Sequence, residues 1–260
     1  MINHNFKKKF GQNFISDKNL LCAIIRDAEV NKDDEVLEIG AGAGSLTQII
    51  SENAKKVVSY EIDRDLQATL LGLGLKNTTF VFEDVMKHDI SDIEKKFDGH
   101  YKLIANLPYY ITTPIIFKFL GESQKIDSLC IMVQKEVAER IVASKGGKDY
   151  GVLGIMVDFY GDASVTRVVD RKNFYPVPNV DSAVVVIKIN KNKYPGIDGD
   201  RFFRFIQTCF SMRRKTLKNN LSRLKIDKKF LDSLPQNILS ARPETLSTSE
   251  FVNLYQKIFG

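Results

Sequence analysis

The chain has 260 residues, 43% hydrophobic and 27% charged, with a net charge of +6, which fits a globular protein with one large domain or a large and a small one. No run of about 18 apolar residues occurs, which excludes a membrane-spanning helix, and the polar, basic start MINHNFKKKF lacks the apolar stretch of a signal peptide. Cys22, Cys130 and Cys209 lie far apart, with no CxxC or His-Cys cluster; this argues against a disulfide framework or a metal site and fits a cytoplasmic compartment.

In chain order, near-continuous apolar runs at 35–39, 57–60, 79–82 and 102–105 predict strands covered on both faces. Runs at 129–134, 165–169 and 183–189 add three more. Between them lie helical patterns such as 45–53 and 63–71. The alternation predicts an α/β fold with a mostly parallel, seven-stranded sheet and helices on both sides. The stretch 191–200 (KNKYPGIDGD) reads as a linker. Beyond it Phe202, Phe205, Cys209, Met212, Leu217 and Leu221 recur at helical spacing, and 227–234 and 249–258 also look helical. The expected domains are therefore 1–189 and a small all-helical domain, 190–260. Residues 189–260 hold 14 Lys and Arg against 6 Asp and Glu, a charge of +8 that leaves −2 for the rest. Charge concentrated in this way suits a polyanion-binding module, although a solvated helical face gives the same count.

Three segments carry chemistry. The first is Glu38-Ile-Gly40-Ala-Gly42-Ala-Gly44, between a strand and a helix. Its glycines allow a sharp turn and close approach of backbone to a ligand. The GxGxG spacing differs from the GxGxxG of dinucleotide binders. Glu61, at the end of the second strand, is placed to accept both ribose hydroxyls of a nucleoside-bearing cofactor. The second is Glu83-Asp84-Val85, after the third strand, where Asp84 can accept from an adenine amino group and the Val85 N–H can donate to a ring nitrogen. The third, and most specific, is Asn106-Leu107-Pro108-Tyr109, after the fourth strand. An aromatic amine is a poor nucleophile because its lone pair is delocalised. The Asn106 side-chain oxygen and the Leu107 carbonyl can accept the two N6 hydrogens of adenine and free that lone pair for attack on a methyl sulfonium. Pro108 restricts Leu107 to extended conformations, and Tyr109 offers a face on which an extruded base stacks. Catalysis of this kind is positioning for in-line attack and needs no acid or base.

The chain resembles the KsgA-type ribosomal RNA adenine dimethyltransferases almost from end to end. The matching segments are KKFGQNF (8–14), EIGAGAGSLT (38–47), Glu61, Asp84, NLPYYIT (106–112), VQKEVAERI (133–141), DYGVL (149–153), FYPVPNVDSAV (174–184) and FSMRRKTLKNNL (210–221). Tyr110-Ile111 stands where Asn-Ile is frequent. The resemblance implies a Rossmann-like class I methyltransferase fold. It implies that Asn13, Ile15, Gly40, Gly42, Glu61, Asp84, Val85 and Asn106 bind S-adenosylmethionine. It implies further that Asn106, Leu107 and Tyr109 face the target adenine and that Phe174 closes over the base. The implied product is N6,N6-dimethyladenosine at two adjacent adenosines near the 3′ end of small-subunit ribosomal RNA. The implied partner is the pre-30S particle, met by a monomer without metal.

In the tail, Arg213, Arg214, Lys215 and Lys218 are expected on a helix whose other face carries Phe202, Phe205 and Leu217, with Arg214 and Lys218 sharing a face to contact RNA phosphates. Lys7, Lys8 and Lys9 form a second basic cluster. His88 and His100 read as surface residues. Other readings fit parts of the pattern: an Erm-type methyltransferase of large-subunit RNA, whose tetrapeptide is more often Asn-Ile-Pro-Tyr; a DNA adenine methyltransferase, which uses the same amine chemistry but usually carries an Asp-Pro-Pro-Tyr-like site; and an assembly factor whose binding matters more than its catalysis.

Overall fold

Strand–helix alternation builds the first half of the molecule. In the computed structural model, which describes residues 14–15, 17–212, 214–224 and 226–260, the two-residue strand β1 (Phe14–Ile15) precedes α1 (Lys18–Asp27). Asp17 caps that helix, its carboxylate accepting from the backbone N–H groups of Asn19 and Leu20. There follow β2 (Glu35–Ile39), α2 (Ser45–Asn53), β3 (Lys56–Tyr60), α3 (Gln67–Leu71), β4 (Thr78–Val81), α4 (Ile90–Glu94), β5 (Tyr101–Asn106) and α5 (Thr112–Glu122). The chain continues through β6 (Ile126–Gln134), α6 (Lys135–Ile141), α7 (Val152–Tyr160), β7 (Gly161–Val169), β8 (Phe174–Tyr175) and β9 (Ser182–Ile189).

Seven strands form one sheet in the order β4-β3-β2-β5-β6-β9-β7. The pairs β2–β3, β3–β4, β2–β5 and β5–β6 are parallel, and β6–β9 is antiparallel. Every residue of β2 is buried, as its apolar run predicts. The edge strand β4 departs from the expected double cover: Thr79 is exposed and its neighbours are only half-buried. An edge strand has a partner on one side only. The chain leaves β2 for β3 and β4, then returns to β5 on the other side of β2. That reversal of strand order opens the crevice at which parallel α/β sheets bind ligands. The strands β1 and β8 form a separate antiparallel pair, with Ile15 opposite Phe174.

By packing, the chain divides into two compact units, Met1–Ala138 with Ala163–Ile189, and Glu139–Asp162 with Asn190–Gly260. The sequence reading set residues 139–162 in the first domain; they group with the second unit. The reason lies in α7, whose Phe159 stacks on Phe202 at 4.5 Å and on Tyr194 at 5.6 Å between ring centroids. The second unit carries α8 (Gly199–Cys209), α9 (Leu217–Leu221), α10 (Lys228–Ser233), α11 (Gln236–Ser240) and α12 (Thr248–Phe259). Its core is aromatic, with Tyr255 edge-on to both Phe202 and Phe205, and each such pair adds about 0.5–1.5 kcal/mol beyond its buried area. Ser247 and Glu250 form a capping box at the start of α12.

One expectation for the tail fails here. The helical spacing from Phe202 to Leu221 predicts a continuous helix, but α8 ends at Cys209 and α9 begins only at Leu217. Arg214 and Lys215 lie in the intervening turn, exposed, so Arg214 and Lys218 do not share a helical face. Arg213 lies outside the described residues, as do Asn13 and Lys7–Lys9. The turn is held by the buried side chain of Asn220. Its Oδ1 accepts from Met212 N–H at 2.8 Å and from the Ser211 hydroxyl at 3.1 Å. Its Nδ2 donates to the carbonyls of Met212 and Thr216. A side chain that satisfies the backbone directly removes the reason to continue a helix. Asn220→Ala should therefore lower stability by about 1–3 kcal/mol, the cost of leaving buried backbone groups unpaired. Urea unfolding checks this, and a variant as stable as the parent would show that the turn is held by something else.

Candidate active site

The strand register brings the chemical segments to one edge of the sheet. Ile39 lies opposite Tyr60 on one side and Ala105 on the other. Gly40, Glu61 and Asn106 therefore follow one another across three adjacent strand ends, with Asp84 beyond β4. These residues line one cavity of about 350 Å³. Its wall also contains Ile15, Gly42, Val85, Leu107 and Tyr109.

The glycine turn is shaped by backbone requirements. Gly40 (φ +84°) donates its N–H to the Tyr60 carbonyl at 2.8 Å, and a Cβ there would stand 3.4 Å from the Asn106 carbonyl oxygen. Gly42 (φ +56°) leaves room for the Phe14 ring, which a Cβ would meet at 3.0 Å. Both positions lie in the left-handed region that side chains disfavour. The Gly42 N–H donates to Glu61 Oε2 and the Asp63 N–H to Oε1, both at 2.8 Å. Burial pushes the Glu61 carboxyl upward, and these N–H groups oppose the shift.

Beneath this turn lies Glu38, fully buried. Its Oε2 accepts from the hydroxyls of Thr47 in α2, at 2.7 Å, and Ser59 in β3, at 2.5 Å. Its Oε1 has no hydrogen-bond partner among the described residues. Burial pushes the carboxyl up to about 7, against the two hydroxyl donors, and the nearby Glu61 adds to the rise.

The opposite wall is built by the tetrapeptide. Pro108 leads into a 3-10 turn over Tyr109–Ile111, closed by the Ile111 N–H on the Pro108 carbonyl. The half-buried Tyr109 ring is anchored by its hydroxyl, 3.2 Å from Ser182 Oγ in β9. Asp84 uses Oδ1 to accept from the Met86 N–H at 3.0 Å and so presents a preoriented carboxylate to the cavity.

The cavity thus gathers every described residue expected to hold the cofactor, together with Leu107 and Tyr109. Phe174 is not among its lining residues. Pairing of β8 with β1 turns that ring into the hydrophobic core, where it is 3% exposed in the cluster that also holds Ile15. Lys218 is exposed but already pairs with Asp232 at 2.7 Å. His88 is less peripheral than its polar context suggests: it pairs with Glu83 at 2.7 Å and lies edge-on to Tyr60, two residues of the cavity wall. His100 is exposed beside Asp127. The sequence reading missed Ser182, since only the three-dimensional fold brings it to Tyr109. It also missed the wall residues Ile62 and Met86, whose one available signal is a position just after a strand end. Among the described residues there is no cluster of three or more metal-ligating side chains, and no helix is long and apolar enough to cross a membrane.

A seven-stranded, mostly parallel sheet with a glycine turn after one strand and an acidic residue after the next defines a class I methyltransferase. The model of the family described as ribosomal RNA adenine dimethylase matches residues 3–257. The chain is 41% identical over 263 residues to the ribosomal RNA small subunit methyltransferase A of Clostridium acetobutylicum, covering 99% of this chain and 95% of that one. It is 42% identical over 261 residues to the protein of the same name from Fusobacterium nucleatum, covering 97% of each. The crystal structure of a dimethyladenosine transferase from Plasmodium falciparum superposes with a TM-score of 0.82 at 27% identity, covering 94% of this chain and 96% of that one. The 23S ribosomal RNA methyltransferase ErmE, at 24% identity and a TM-score of 0.72, shares the fold, covering 95% of this chain and 100% of that one. The chain belongs to the ribosomal RNA adenine dimethylase family and is a methyltransferase.

Glu38 gives the site a pH signature. Its carboxyl sits near 7 in the folded chain against an ordinary 4.5, so the folded state holds a proton that the unfolded state gives up. Its contribution to stability is full below about pH 4.5 and is lost as pH rises through about 7. Between those limits the loss amounts to roughly 3 kcal/mol. In Glu38→Gln this loss should be absent. Urea unfolding of both proteins from pH 4.5 to 7.5 measures it; parallel stability profiles would remove Glu38 as the titrating group.

Proposed function

We propose that the protein transfers methyl groups from S-adenosylmethionine to the N6 amines of two adjacent adenosines near the 3′ end of small-subunit ribosomal RNA, giving N6,N6-dimethyladenosine. The observation that carries this reading is the convergence of Asn106-Leu107-Pro108-Tyr109 with the glycine turn and Glu61 on one cavity. The naming of its 41–42% identical relatives as small-subunit methyltransferases supports the choice of RNA. We assign the pre-30S particle as the working substrate, met by a monomer in the cytoplasm.

The cavity suits the cofactor. Its glycine backbone leaves space that a Cβ would fill, its carboxylates sit at strand ends, and its wall is apolar at Ile39, Ile62 and Val85. Glu61 would accept from the ribose hydroxyls, and Asp84 and the Val85 N–H would read the adenine edge. Ile15, Gly40 and Gly42 would shape the remainder of the pocket, with Asn13 contributing from the N-terminal segment. S-adenosylmethionine, when bound, supplies an electrophilic methyl group. The chain's own residues do the rest by placement. The Asn106 side-chain oxygen and the Leu107 carbonyl accept the two N6 hydrogens of the target adenine, which draws the amine out of conjugation. Tyr109, fixed through Ser182, supports the face of the base. Pro108 fixes the direction of the Leu107 carbonyl. Each contact matters most as the amine becomes tetrahedral, so it lowers the barrier rather than merely tightening binding.

Asn106→Ala should leave the fold and most RNA binding intact and lower the single-turnover rate of methyl transfer by about 100-fold or more, the usual cost of losing one preorganised polar contact to the transition state. Tyr109→Ala should lose base stacking of about 1–3 kcal/mol. The assay is methylation of purified small subunits followed by mass spectrometry of the RNA; rates near the parent's in both variants are incompatible with the mechanism.

Docking is assigned to the basic tail, in which Arg214 and Lys215 are exposed on the Asn220-held turn. Replacing Arg213, Arg214 and Lys215 by Ala should weaken binding to small subunits and flatten its salt dependence, because fewer counterions are released. S-adenosylmethionine affinity should not change. Affinities measured at several salt concentrations decide this, and an unaltered slope would move the docking surface to Lys7–Lys9.

A further inference from the structure

Tyr110 sits next to the tyrosine assigned to the target base, but its environment differs. It lines the same cavity, with Pro108, Ile111 and Pro114, yet its ring is 61% exposed. Among the described residues it makes no hydrogen bond, ion pair or ring contact, whereas Tyr109 is half-buried and tied to Ser182. The two tyrosines share a 3-10 turn. Such a turn has about three residues per revolution, so consecutive side chains diverge by roughly 120°. They diverge along one lining: Tyr109 follows the cavity wall, half-buried, and Tyr110 stands at the exposed mouth. The backbone at that point is fixed by the Ile111 N–H and the Thr112 hydroxyl on the Pro108 carbonyl. Tyr110 thus presents a flat aromatic surface on a rigid mount.

The substrate gives that surface an occupant. This step rests on the functional reading above. When one adenosine leaves its stack to enter the cavity, its sequence neighbour loses a stacking partner and stays outside, at the mouth. An exposed aromatic face replaces the lost stacking whatever the identity of the neighbouring base. We infer that Tyr110 is the stacking platform for the nucleotide adjacent to the target, so that the two neighbouring adenosines occupy Tyr109 and Tyr110 together. A positioning residue of this kind acts on RNA engagement rather than on the reacting amine.

The test compares Tyr110→Ala and Tyr110→Phe with the parent enzyme on purified small subunits, resolving the two adenosines by mass spectrometry. Tyr110→Ala should lower kcat/KM by about five- to a hundred-fold through KM. Its salt slope and its calorimetric affinity for S-adenosylmethionine should match the parent's. Tyr110→Phe keeps the aromatic face and should keep the parent's kcat/KM. Parent-like kcat/KM in Tyr110→Ala would overturn the inference. So would an equal loss in Tyr110→Phe, which would assign the effect to the hydroxyl. A parent enzyme that binds S-adenosylmethionine but leaves both adenosines unmethylated would instead overturn the functional reading, and the two failures are read from different proteins.

Discussion

Two backbone amides converge on the carboxylate of Glu61, and the site is built outward from that contact. Gly42 N–H comes from the turn after β2 and Asp63 N–H from the turn after β3. The carboxylate therefore ties the ends of two neighbouring parallel strands. A buried acid is costly when charged, and burial does raise this one; the two donors restrain the rise and also fix its direction. With Glu61 set, the glycine turn has one path, with Gly40 against the Asn106 backbone and Gly42 beneath the Phe14 ring.

The sheet does the remaining assembly. Residues 40, 61, 84 and 106 are distant in sequence, but in a parallel sheet the carboxyl ends of successive strands share one edge. The reversal between β2 and β5 opens that edge, so the glycine turn and the tetrapeptide face each other across it. The antiparallel strand β9 extends the arrangement by delivering Ser182 to the Tyr109 hydroxyl. The second unit relies on a different principle. Its short helices are held by aromatic rings from α7, α8 and α12 rather than by a ladder of backbone bonds.

The central strands and the cavity were legible in the sequence because each leaves a local mark. A fully buried strand such as β2 is an unbroken apolar run, and a residue just past it, such as Gly40 or Glu61, is placed by counting. What escaped depends on distant partners. The burial of Phe174, which reads as a site residue within its Pro-rich motif, is one case: its strand partner is Ile15, some 160 positions earlier. Residues 139–162 gave no sign of grouping with the second unit, because Phe159 finds Phe202 only after folding. The break between α8 and α9 escaped for the opposite reason. The apolar spacing does continue across it, and spacing says nothing of Asn220, which binds the backbone of Met212 and stops the helix.

The pair between Lys218 and Asp232 changes what the second unit presents to an approaching charge. An ammonium already facing a carboxylate of its own chain is screened from a passing nucleic acid. A phosphate reaching Lys218 has to displace Asp232 first, and an exposed pair worth at most about 1 kcal/mol yields readily to a well-placed competitor. An anion approaching Lys218 therefore meets a small local barrier rather than a free positive charge. A negative charge thus moderates the field locally, in the most positive region of the chain.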